Sequence, residues 1–188
     1  MKVNSSKVLV KYNDFFKTLF ILFSGKSWNQ IKEHKNMIIM LNDDEIVAIN
    51  VIDIEPSTNL VLLAKKLIKD NLGIEINLEP QFVVVEVMET TMIPNTHLTV
   101  CKVFDGKQTL QVVCGAANVK KGMKTILATV GSWMPSGLQI TKGKLSGYES
   151  FGMLCSAKEL NIKNKFNDKG IIELSKETVI GQNLEELI

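Results

Sequence analysis

The sequence predicts an α+β chain of two domains: a small alpha/beta N-terminal domain over residues 1–79, then an all-β barrel over residues 80–188. Three observations predict it. A single helical periodicity, Leu60, Leu63, Ala64, Leu67 and Ile68, sits in the first half with lysines on its other side. From Gln81 onward, short β-rich runs follow one another too closely for crossover helices, as in small antiparallel barrels. The 188 residues are 45% hydrophobic, enough to bury a sizeable core in one domain or in two small ones.

In the first half, Lys7–Lys11 and Thr18–Phe23 read as strands, the second as buried on both faces because its apolar residues do not alternate. Trp28–Lys35 reads as one or two helical turns. Asn36–Leu41 and Ile46–Ile54 flank the polar tetrad Asn42-Asp43-Asp44-Glu45, a hairpin signal. Pro56-Ser57-Thr58 opens the helix, with Ser57 or Thr58 as the expected N-cap and Gly73 placed to end it. Lys65, Lys66 and Lys69 read either as a solvated helix surface or as an anion-binding face. The role of this half is left open, and it holds no catalytic constellation.

Ile74–Pro80 is a joint, and Gln81–Glu89 the first strand of the second half. Leu98–Asp105 and Thr109–Val113 follow, joined through Asp105-Gly106, a dipeptide that favours tight hairpins. Lys124–Val130 is a further strand, Gln139–Leu154 supplies at least one more, and Gly170–Leu174 another. Ser156-Ala157-Lys158-Glu159 has the form of a capping box starting a short helix through Leu160. Asn161–Lys169 is a polar loop, and Val179–Ile188 a tail that returns to the barrel or reaches a partner.

Chemistry concentrates in Lys142–Ser156, K-G-K-L-S-G-Y-E-S-F-G-M-L-C-S. Its glycines, Gly143, Gly147 and Gly152, point to sharp bends or close backbone approach. In an extended segment Lys142 and Lys144 point the same way, a minimal grip for a phosphate chain beside an apolar platform. Lys142, Leu145, Gly147, Ser150, Gly152, Met153, Leu154, Cys155 and Ser156 resemble the K-x-x-L-R-G-x-x-S-x-G-M-(L/I)-C-S signature of the tRNA-binding domain family. The same domain sits near the N-terminus of the bacterial phenylalanyl-tRNA synthetase beta chain. A second block, Leu110–Val119, is similar to the family's L-Q-I-V-C-G-A-x-N-V.

The resemblance covers Gln81 to about Leu184, and the whole layout is similar to the free-standing YtpR-type bacterial members. It implies an OB-fold (oligonucleotide/oligosaccharide-binding) barrel that recognises folded tRNA by shape at its outer corner, together with phosphate contacts. Two positions depart from the family: Ser146 stands where it has arginine, and Ile93-Pro94-Asn95-Thr96-His97 keeps only Pro94 and Asn95 of H-P-N-A-D.

The candidate RNA-binding residues are Lys142, Lys144, Tyr148, Ser150, Met153, Ser156, Asn118, Lys120, Lys121 and Asn95. Lys102 and Lys124 add possible charge, and Phe104, Trp133 and Phe151 possible platforms. Each has a plainer reading: core for Phe104, Phe151 and Met153, a turn for Asn118, and a helix cap for Ser156.

All 22 basic residues are lysine and the net charge is only +2, so a phosphate grip here is one of point charges, loose and salt-sensitive. Cys101, Cys114 and Cys155 form no C-x-x-C pair and the two histidines lie far apart, which argues against a zinc site. No cofactor motif is present, and no nucleophile has an attendant base. The expectation is a non-enzymatic, cytoplasmic tRNA-binding protein, monomeric or weakly dimeric and away from membranes. The alternative is a protein-interaction module, such as a synthetase-associated factor, with weak or lost RNA binding.

Overall fold

The structure, a computed structural model, describes residues 1–162 and 165–188. Its contacts divide the chain into two compact units, Met1–Glu79 and Pro80–Ile188. The expected loop over Asn161–Lys169 falls partly on residues 163 and 164, outside the described residues.

The first unit is a five-stranded antiparallel sheet with one helix. Its strands are β1 (Leu9–Asn13), β2 (Thr18–Leu22), β3 (Gln30–His34), β4 (Met37–Asn42) and β5 (Glu45–Val51), in the order β1-β2-β5-β4-β3. Helix α1 (Leu60–Leu72) lies against β1 and β2. Period-two alternation puts Met37, Ile39 and Leu41 of β4 in the core with Leu19 and Ile21 of β2, closed by Ala64 and Ile68 of the helix.

Three expectations change. β2 alternates in space: Leu19 and Ile21 are buried while Phe20 between them is exposed, so the strand is not covered on both faces. Trp28–Lys35 is not helical, since Gln30–His34 pairs along the whole edge of β4, and that ladder outweighs a weak local preference. The helix is capped by Asn59, not Ser57 or Thr58; its side chain accepts from the Leu62 amide at 2.8 Å. Gly73 closes the other end in the left-handed conformation, φ 67°.

The second unit contains β6 (Phe82–Met92), β7 (Thr99–Phe104), β8 (Thr109–Cys114), β9 (Lys124–Ala128), β10 (Gly143–Leu145), β11 (Tyr148–Ser150) and β12 (Met153–Leu154). Its main sheet has the order β12-β9-β6-β7-β8. β6 serves two partners, β9 along Phe82–Glu86 and β7 along Glu86–Met92, with a register shift between Val87 and Glu89. A bulged strand shared in this way bends, and the sheet curls. β12 on one edge thereby comes against β8 on the other. The result is a curled half-barrel, consistent with an OB-like fold.

Gly170–Leu174 is not a strand but meets β9 only through the bridge Lys124–Leu174. Ser156–Leu160 forms turns rather than a helix. The tail returns to the barrel: Leu184 is buried, and the Val84 amide donates to the Gln182 carbonyl at 2.9 Å. Among the described residues no helix is long and apolar enough to cross a membrane.

Candidate nucleic-acid interface

Lys142–Ser156 supplies the hairpin β10–β11, pairing Lys144 with Glu149 and Leu145 with Tyr148. Its turn residues, Ser146 and Gly147, have φ 47° and 89°, the double positive φ of a tight two-residue hairpin turn. Strand alternation then sorts the side chains. Lys142, Lys144, Glu149 and Phe151 take one face, and Leu145, Tyr148 and Ser150 the other. The expected common direction of Lys142 and Lys144 is met, while Tyr148 belongs to the opposite face.

On the lysine face, the Lys142 ammonium sits 2.7 Å from Glu149 Oε1 and 4.8 Å from the Phe151 ring centroid. The hydrogen bond from Lys142, and then its charge, hold the Glu149 carboxyl below the usual carboxylate range. Lys144 is exposed and, among the described residues, forms no ion pair. On the other face, Leu145 and Tyr148 are each 43% exposed, an apolar and aromatic tip in water.

The hairpin is tied down by Ser150. Only 4% exposed, its hydroxyl accepts from the Val113 amide at 3.0 Å and donates to the Gly152 carbonyl at 3.0 Å. Expected as a contact residue, Ser150 is a brace instead, with no accessible group to offer RNA. Gly152, at φ 131°, lets the chain pass so close to β9 that a Cβ would meet the Ala128 oxygen at 2.7 Å.

Beyond Gly152, two open clefts of about 730 and 490 Å³ share a dividing wall of Met153, Ser156, Lys158 and Glu159. The first extends to Met134, Pro135 and Leu138, the second to Leu145, Gly115 and Asp168. Met153 and Ser156 are thus brought together. Ser156 and Glu159 do form the reciprocal capping bonds, the Ser156 amide donating to Glu159 Oε2 at 2.8 Å and the Glu159 amide to Ser156 Oγ at 3.3 Å, and the Ser156 hydroxyl also donates to Oε2 at 2.6 Å. The box closes a turn, and the Glu159 carboxylate takes the Ser156 amide and hydroxyl. Lys158, read from the sequence only as part of the capping box, and Asp168 were not candidate contacts, because nothing in the sequence places them at one cleft with Cys114-Gly115.

The remaining candidates separate. Asn118 holds the chain at Ile171 from both sides, donating to its carbonyl at 2.9 Å and accepting from its amide at 3.0 Å; it also donates to Glu173 Oε1 at 3.1 Å. Lys120 pairs with Glu173 Oε2 at 3.2 Å, whereas Lys121 is exposed and, among the described residues, has no ion pair. Asn95 is exposed and takes φ 60° in the turn after β6. Lys102 donates to Gln111 Oε1 at 2.9 Å, and Lys124 to the carbonyls of Lys176 and Thr178. Trp133 is 4% exposed, packed inside and not a platform; Phe104 and Phe151 are half-buried.

A curled half-barrel carrying a lysine-bearing hairpin beside two open clefts defines a class: small β modules with a surface suited to polyanions. Residues 82–183 match the family model described as "Putative tRNA binding domain", and the chain belongs to that family. The chain is 52% identical over 103 residues to the uncharacterized MG449 homolog of Mycoplasma pneumoniae, covering 54% of this chain and 43% of the relative. It is 49% identical over 100 residues to the protein described as "Putative tRNA-binding protein YtpR" of Bacillus subtilis, covering 53% and 50%. It is 54% identical over 102 residues to the phenylalanine–tRNA ligase beta subunit of Ehrlichia ruminantium, covering 52% and 13%. The chain therefore spans no more than half the length of these relatives.

Proposed function

We propose that the chain is a non-catalytic, cytoplasmic protein that binds folded tRNA through the 80–188 unit as a tRNA-binding OB-fold domain, with residues 1–79 a separate small domain of unassigned role. The observation that carries this reading is the family match over 82–183, which includes the whole lysine-bearing hairpin. Lys142, Lys144 and Lys121 provide point charges for phosphates, with Lys120 joining when Glu173 is displaced. Tyr148 and Met153 provide surfaces for ribose or base. Ser150, Asn118, Ser156 and Asn95 shape the backbone around them. Recognition is then of tRNA shape, since lysines contacting phosphates carry no sequence information.

The test is competition. A labelled bulk tRNA bound by the full chain is displaced by unlabelled folded tRNA at far lower concentration than by an unstructured oligonucleotide of equal length; equal displacement would leave only general single-strand binding. A second reading, a protein-interaction module with weak RNA contact, draws on the pairing of Lys142 and Lys120 with glutamates and on the absence of arginine. Co-purification with and without ribonuclease separates the two.

A further inference from the structure

The turn between β1 and β2 carries Phe15 and Phe16, 87% and 64% exposed, packed edge to face with centroids 4.9 Å apart. The turn is built to hold them out. The Phe16 amide donates to Asn13 Oδ1 at 3.0 Å, and Thr18 Oγ1 donates to the Phe16 carbonyl at 2.8 Å. Two large apolar rings side by side in water mark an interaction surface more than scattered exposure does. Their surroundings are acidic. Asp14 lies in the turn itself, and Glu55 pairs with Lys17 at 2.8 Å. Asp53 also acts on the Lys17 ammonium, which is raised above its ordinary value first by its hydrogen bond to Glu55. Such a rim repels RNA phosphates and anionic lipid headgroups alike.

The same unit also carries a groove. The exposed side of α1 and the segment after it enclose a groove of about 500 Å³ lined by Leu62, Lys65, Lys66, Lys69 and Ile76. Leu62 is 63% exposed on a helix whose other face fills the core. The groove contains Asp70 and Glu75 as well, but Glu75 is neutralised by Lys69 at 2.6 Å. Lys65 and Lys66 form no ion pair among the described residues. The volume lies within the range of grooves that take two ring-sized groups.

We infer that the Phe15–Phe16 turn docks into the α1 groove of a second copy of this chain, its apolar rings against Leu62 and the carboxylates of Asp14 and Asp53 against Lys65 and Lys66. Two copies related by a twofold axis exchange turn and groove reciprocally and so make the same contact twice. The contact lies entirely on the first unit and stands apart from tRNA binding.

Sedimentation equilibrium of the full chain tests it, with Phe15→Ser/Phe16→Ser and Lys65→Glu/Lys66→Glu, all surface positions whose replacement leaves the thermal midpoint in place. The wild-type chain self-associates, and each variant weakens association about tenfold or more. An equimolar mixture of the two variants recovers part of the association, because one reciprocal contact is intact in the mixed dimer. A wild-type chain that stays monomeric at its solubility limit, or association that neither variant weakens, overturns the inference.

Discussion

The Lys142 ammonium is bonded to the Glu149 carboxylate at 2.7 Å, across the two strands of the hairpin that carries the family signature. Both side chains are about half exposed. A phosphate oxygen that approaches Lys142 therefore competes with a carboxylate already in place. Near neutral pH the carboxylate is charged with or without its partner, and because Lys142 lowers its pKa further, only acid, as pH falls through that lowered pKa, releases the lysine.

Glu149→Gln removes the competitor and keeps the shape. tRNA affinity rises severalfold, no more, since exposed ion pairs are weak, and the thermal midpoint stays within a degree or so. Fluorescence titration and a melting curve check both; unchanged affinity would mean that Lys142 meets no phosphate.

Gly152→Ala places a methyl 2.7 Å from the Ala128 oxygen and 2.8 Å from Leu127 Cδ1, at a φ of 131° that side chains rarely adopt. Neither the β9 backbone nor a packed leucine yields cheaply. The expected loss is about 3 kcal/mol, read by urea denaturation.

Asn118→Ala removes the clamp on Ile171 and Glu173 and leaves the partly buried Ile171 amide unmet, while the Ile171 carbonyl keeps its bond from Asn167 Nδ2 at 2.9 Å. Stability falls by about 2 kcal/mol, while the tRNA affinity of the remaining folded protein changes little. A large affinity loss at unchanged stability would make Asn118 a contact residue after all.

Burial pushes the thiols of Cys101 and Cys155 up to about 12, and that of Cys114 upward as well. All three are buried. At neutral pH a colorimetric thiol reagent therefore reacts slowly with the native chain and rapidly with all three after denaturation. Fast reaction of one thiol in the native state would show that its barrel segment opens.

The positions of many strands, though not their order in the sheets, were legible in the sequence because Met37-Ile38-Ile39-Met40-Leu41 and Phe82–Val87 alternate or run apolar between clear turn signals. β3 was not, since Gln30–His34 is wholly exposed and owes its conformation to β4 rather than to its own residues. At the interface, the common direction of Lys142 and Lys144 followed from strand geometry alone. The burial of Ser150 and Trp133 and the clamp by Asn118 rest on contacts between distant segments. Periodicity cannot express such contacts. Ser150 shows this most clearly, because its partner amide lies 37 residues away at Val113.

The most direct test of the account is the affinity of the full chain for bulk tRNA across a salt series, alongside Lys142→Glu/Lys144→Glu. The account predicts a steep log–log fall equivalent to roughly three to five released counterions. In the variant, binding is weaker and the slope shallower by about two, with an unchanged melting temperature. Binding that is undetectable even at low salt, or that the double variant leaves unaltered, would contradict lysine-driven recognition of tRNA by this hairpin.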